Sequence, residues 1–82
     1  MMSTVRVRYF AGARAAAGVA EEDVSATNLG DLLDHLAGRH GSALAAALAV
    51  CSYLVDGVQW RDRSIPLPAA ATVDVLPPFA GG

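Results

Sequence analysis

Hydrophobic and polar positions alternate from Thr4 to Phe10: Val5, Val7 and Tyr9 point one way, and Arg6, Arg8 and Phe10 the other. A period of two predicts a strand with one buried face. Ala11 to Gly18 reads as a turn-rich or briefly helical link that closes at Gly18, and Glu21 to Ser25 as a second, shorter strand. The two form an opening hairpin whose loop is longer than a tight turn.

The period then changes. Leu29, Leu32, Leu33, Leu36 and Ala37 recur at helical spacing as one apolar stripe, with Asp34, His35 and Arg39 towards the other side. Asn28 supplies the N-cap, Asp31 the partner of a capping-box-like pair, and Gly41 the stop. Ser42 is read as the cap of a second, short helix over Ala43 to Ala49. A third strand runs from Cys51 to Val55, and Asp56-Gly57 signals a two-residue hairpin into a return strand from Val58 to Trp60. Arg61 to Ala71 contains Pro66 and Pro68, which places it in a loop or at a sheet edge. Thr72 to Leu76 alternates again, with Val73 and Val75 inward and Thr72, Asp74 and Leu76 outward.

The order β-β-α-(α)-β-β-β leaves one main helix stripe to bury against one face of a sheet. That predicts an α+β two-layer fold, a mixed sheet of four to five strands on one main helix plus a short second helix. At 82 residues the chain has room for one domain, and 54% hydrophobic against 17% charged residues is too apolar for disorder.

All six basic residues are arginine (Arg6, Arg8, Arg14, Arg39, Arg61 and Arg63), lysine is absent, and the net charge is −2. There is no basic run for nucleic acid or an anionic membrane, so neither is expected as a partner. The longest apolar run, Ala43 to Cys51, is too short to span a bilayer, and the start lacks the pattern of a signal peptide. Together with a single cysteine, Cys51, these features predict a cytoplasmic protein.

Few side chains suggest chemistry. Cys51 reads as a small buried hydrophobe at the start of a strand rather than a sulfur relay. His35 and His40 lack helical metal-ligand spacing, and His40 suits the helix C-terminus. No metal site is expected. Three adjacent acids, Glu21, Glu22 and Asp23, alternate faces on their strand and read as a solvated edge. Trp60 reads as a sheet residue, core or half-exposed.

The tail is different. After Leu76 come Pro77-Pro78-Phe79-Ala80-Gly81-Gly82. Two prolines favour an extended path, the glycines fit a channel too narrow for side chains, and six residues reach at most about 20 Å. The expected division is a body over residues 1–76 and an extended tail over 77–82. A terminal carboxylate is a poor electrophile at neutral pH, so acyl chemistry at Gly82 requires prior activation, most simply as a mixed anhydride with a nucleotide phosphate.

Val5-Arg6-Val7-Arg8-Tyr9-Phe10-Ala11, Arg14, Gly18, Leu29-Gly30-Asp31-Leu32-Leu33, Val55-Asp56-Gly57 and Leu76-Pro77-Pro78-Phe79-Ala80-Gly81-Gly82 together resemble the small subunits of molybdopterin synthase, the MoaD family. The resemblance runs from about Thr4 to Gly82. It implies a β-grasp, ubiquitin-like fold and a sulfur carrier that is not catalytic alone. A ubiquitin-activating-like adenylyltransferase would adenylate Gly82 with ATP and Mg, and a sulfur donor protein would convert it to a thiocarboxylate. The tail (Phe79, Ala80, Gly81, Gly82) would then enter the large subunit of molybdopterin synthase and deliver sulfur to a pterin precursor. No cofactor would be held permanently.

The resemblance also implies an apolar partner surface, for which the outward phase of Phe10 and Leu76 offers a candidate, with Phe79 as an anchor and Arg14 as a rim contact. The alternative is that Phe10 and Leu76 pack beneath a loop. Leu67 to Thr72 departs from the family's Gly-Asp turn, and Phe79 stands where smaller aliphatics are common. Two other functional readings stay open: a carrier for thiamine, cysteine or another sulfur pathway, and a ubiquitin-like modifier or interaction module.

Overall fold

A computed structural model describes residues 3–78. Strand β1 (Ser3–Tyr9) shows the alternation directly: Val5, Val7 and Tyr9 are buried, while Thr4, Arg6 and Arg8 are exposed. The link that follows is a full helix, α1 (Ala11–Ala17). Alanines favour helix, Ala13 and Ala17 bury one side of it, and Gly18 ends it at φ +79° with its N–H on the Arg14 carbonyl. The structure therefore has one helix more than the stripe pattern predicts. Strand β2 (Glu21–Ala26) returns antiparallel to β1.

Helix α2 (Leu29–His40) is the main helix. Its N-cap is as expected: Asn28 Oδ1 accepts the Asp31 N–H at 2.7 Å. The reciprocal bond reaches one residue further back, because Asp31 Oδ2 accepts from the N–H of Thr27 rather than Asn28. Leu29, Leu32, Leu33 and Leu36 are buried.

Helix α3 (Ser42–Leu48) starts one residue earlier than predicted, with Gly41 and not Ser42 in the capping position. Gly41 sits at φ +94°, closes α2 through its N–H on the Ala37 carbonyl, and opens α3 by accepting from Ala45. One left-handed residue thus turns the chain between two helices, and glycine is the residue that adopts it without strain.

Strands β3 (Ser52–Val55) and β4 (Val58–Gln59) are shorter than their sequence reading, with Cys51 and Trp60 just outside. Asp56 and Gly57 both have positive φ, 50° and 83°, the geometry of the hairpin turn whose twist matches the flanking strands. Asp56 also ties the turn to the start of the last strand: its N–H donates to the Thr72 carbonyl, and its Oδ1 accepts the Thr72 N–H. The proline-containing loop forms no strand, and Leu67 alone within it is buried before Ala71.

Strand β5 (Thr72–Leu76) inserts between the two earlier pairs, giving the order β2-β1-β5-β3-β4. β1 and β5 run parallel, and the other pairs are antiparallel. All three helices pack on one face of the sheet. The core joins Val5, Val7, Val73 and Val75 of the central strands to Leu32 and Leu36 of α2 and Leu44 of α3. Among the described residues no helix is long and apolar enough to cross a membrane.

Candidate docking face and tail exit

The helices cover one face of the sheet and leave the other open, so the outward residues of five strands form one surface. Register orders that surface in rows. One row runs Glu21, Arg8, Asp74, Leu54, Gln59 across all five strands. Tyr9 pairs with Val75 and Ser52 with Leu76, so Phe10, Leu76 and Ser52 follow as the next row, at the end where the chain leaves the sheet.

This placement brings together two of the residues proposed for partner contact. Phe10 is 39% exposed and Leu76 half-buried, and among the described residues no loop buries Phe10. Leu54, not singled out from the sequence, joins them, since it lies opposite Asp74 and one step from Leu76. The available signal was phase: Tyr53 and Val55 point inward, so Leu54 must point outward. Arg14 follows one helical turn after Phe10 and shares with it a shallow depression of about 260 Å³ at the end of β1. Phe79, Ala80, Gly81 and Gly82 lie outside the described residues.

The polar part of the open face is largely self-neutralised. Arg8 binds Asp74 through two bonds, Nε to Oδ1 at 2.6 Å and Nη2 to Oδ2 at 2.9 Å. These bonds raise the arginine's affinity for its proton further, and Asp74 is only 9% exposed. The Arg8 guanidinium also lies 5.9 Å from the centre of the Phe10 ring. Arg6 bridges Glu21 and Asp23 on the same face. What remains free for a partner is an apolar patch of Phe10, Leu54 and Leu76 beside neutralised charges, the composition of an interface core.

The acidic trio does alternate faces, but only Glu21 and Asp23 are solvated. Glu22 points to the helix side and accepts from the Tyr9 hydroxyl (2.6 Å), the Arg39 guanidinium (2.7 Å) and His40 Nε2. Burial pushes its carboxyl up, yet the three donors outweigh that and hold it below the usual range. Burial, aided by the Glu22 hydrogen bond, makes the Tyr9 phenol harder to ionise. The position of His40 therefore reflects a tertiary hydrogen bond to Glu22 and an edge-on contact with the Tyr9 ring, beyond any effect of the helix end.

Cys51 is partly buried, and burial pushes its thiol up, away from the thiolate that nucleophilic sulfur chemistry needs. Trp60 is half-buried against the core, as one of its two sequence readings has it.

The model of the ThiS family matches residues 7–82. No curated protein sequence gives a significant match. Among solved structures, small archaeal modifier protein 1 from Methanosarcina acetivorans is similar at TM-score 0.81 and 23% identity, covering 100% of this chain and 99% of its own. The same-named protein from Haloferax volcanii gives TM-score 0.83 and 23% identity, covering 98% of this chain and 100% of its own. Subunit 1 and 2 of molybdopterin-converting factor from Helicobacter pylori, solved as a protein–protein complex, contains a chain with TM-score 0.73 and 24% identity, covering 96% of this chain and 99% of that one. At these identities the likeness is one of fold, and the fold is β-grasp and ubiquitin-like.

Proposed function

The chain belongs to the ThiS family, and from that premise we propose that it is a sulfur carrier whose reactive group is the carboxylate of Gly82. A partner adenylyltransferase using ATP and Mg joins the Gly82 carboxylate to AMP with release of pyrophosphate. A sulfide equivalent from a donor protein then attacks the activated carbonyl, AMP leaves, and a thiocarboxylate remains. The acceptor is the large subunit of molybdopterin synthase, where the sulfur passes to a pterin precursor. In this reading residues 1–76 are the body and 77–82 the tail, with Phe79 to Gly82 entering the partner and Phe10, Arg14 and Leu76 resting on its surface.

The observation that carries the proposal is the placement of Phe10, Leu54 and Leu76 on the open face, at the end of β5 from which the chain continues towards Gly81-Gly82. A docked apolar patch there orients everything that follows Leu76. Incubation with an adenylyltransferase, ATP, Mg and a sulfur donor should exchange one terminal oxygen for sulfur, read by intact mass spectrometry. An unchanged mass with an activating enzyme that is competent on its own carrier would refute the assignment. Capture of the large synthase subunit selects this pathway over a thiamine or cysteine route.

The likeness in fold to small archaeal modifier protein 1 favours a second reading, attachment to other proteins. Lysine is absent, so the chain cannot form lysine-linked polymers of itself. Gly82 found in isopeptide linkage to cellular proteins would select this second reading.

A further inference from the structure

Three of the six arginines are paired with carboxylates inside the molecule: Arg6 with Glu21 and Asp23, Arg8 with Asp74, and Arg39 with Glu22. Among the described residues, Arg14, Arg61 and Arg63 have no carboxylate within ion-pairing distance. Two of these, Arg61 and Arg63, line one depression of about 300 Å³ at the start of β3 and the end of β4. Cys51, Ser52, Tyr53, Gln59 and Trp60 complete its lining. We propose that this depression binds a sugar phosphate monoester that also bears a planar ring, a ligand of the nucleoside monophosphate class.

Four features support this. The one acid between the two arginines in sequence, Asp62, does not line the depression, and its Oδ1 accepts from the Ser64 N–H at 2.9 Å and from the Ser64 hydroxyl at 2.6 Å. Arg63 is held in place, its guanidinium 5.8 Å from the centre of the Tyr53 ring and its carbonyl accepting from the Gly30 N–H. Trp60 is fixed by packing on the core and by its backbone N–H, which donates to Tyr53 at 3.0 Å. Ser52 and Gln59 add neutral hydrogen-bonding groups on exposed positions.

The combination selects the ligand class. Guanidinium forks match phosphate oxygens in pairs, whereas an apolar ligand would have no use for two unpaired cations. An indole with one side on the core offers its other side for stacking, which a simple inorganic anion does not exploit. An acidic protein segment would satisfy the cations but not the indole. This inference stands independently of any sulfur chemistry at Gly82.

The chain contains a single tryptophan, so emission excited selectively from tryptophan reports on this depression. Titration of the full chain with AMP should change Trp60 emission saturably. Adenosine, lacking the phosphate, and ribose 5-phosphate, lacking the ring, should each bind about tenfold more weakly or worse. Arg61→Gln and Arg63→Gln should each weaken AMP by about tenfold, while Val19→Ala, at an exposed position before β2, leaves it unchanged. Both arginines are exposed, and circular dichroism checks that the variants stay folded. No saturation up to about 10 mM AMP, the same response to chloride at equal ionic strength, or an acidic peptide binding as tightly as AMP would each overturn the proposal.

Discussion

Arg8 and Asp74 face each other in register across the parallel β1–β5 pair, joined by two hydrogen bonds although 66 positions apart in the chain. Their exposures are unequal: the arginine side chain is 46% accessible and the aspartate 12%. Removing one partner therefore costs differently from removing the other. Arg8→Ala leaves a nearly buried carboxylate without its cation, whereas Asp74→Ala leaves a guanidinium that water can solvate. Arg8→Ala should lower the thermal midpoint more than Asp74→Ala, and the double variant should resemble Asp74→Ala. Equal losses in a double-mutant cycle would contradict this asymmetry.

Glu22 makes stability depend on acid. Its three donors hold the folded-state carboxyl below its ordinary value of 4.5, so the unfolded chain binds its proton first as pH falls. Its contribution is complete above about pH 4.5 and is lost as pH drops through the lower folded-state value. Urea midpoints measured from neutral pH downward should fall in that acid range. Glu22→Gln should be less stable at neutral pH and should show a shallower fall, because it has no carboxyl to protonate.

Leu36 lies wholly inside, between α2 and the sheet. Leu36→Ala should cost about 2–5 kcal/mol, a large part of the roughly 5–15 kcal/mol that holds a domain together. Val58, 62% exposed in β4, provides the contrast: Val58→Ala should stay within about 0.5 kcal/mol. Equilibrium urea unfolding distinguishes the two.

Partner affinity should depend on the apolar patch of the open face. Phe10→Ala should weaken binding to the large synthase subunit by about tenfold or more, as loss of an aromatic anchor does, and Leu54→Ala should weaken it less. Isothermal titration against the large subunit gives both values. If neither variant changes affinity while both remain folded, the docking face lies elsewhere.

Removing Gly82 should abolish thiocarboxylate formation and leave the thermal midpoint unchanged, since the described core is complete without it. Mass spectrometry and calorimetry on the same preparation test the two halves separately.

Much of this molecule is written locally. Val5, Val7 and Tyr9 disclose a strand, the leucines from Leu29 to Leu36 a helix, Asn28 its cap and Asp56-Gly57 a turn, because each depends on neighbours within a few bonds. The sequence also pairs the outward phases of Phe10 and Leu76, through the side-by-side placement of first and last strands that a grasp fold implies. Local signals fail where two elements compete for one residue. Ser42 looks like a cap, but Gly41 can turn through positive φ and takes the position. Likewise, the alanines after Phe10 carry too little patterning to separate a turn from the helix they form.

What only the tertiary structure decides is which distant residues meet. Strand order is set by pairing across long stretches of chain, so the Arg8–Asp74 bonds, the inward turn of Glu22 onto Tyr9, Arg39 and His40, and the addition of Leu54 to the open face have no local sign. The same holds for Arg61 and Arg63. In sequence they flank an acid, but only the folded loop shows that Asp62 turns to Ser64 and leaves both cations without a carboxylate partner among the described residues.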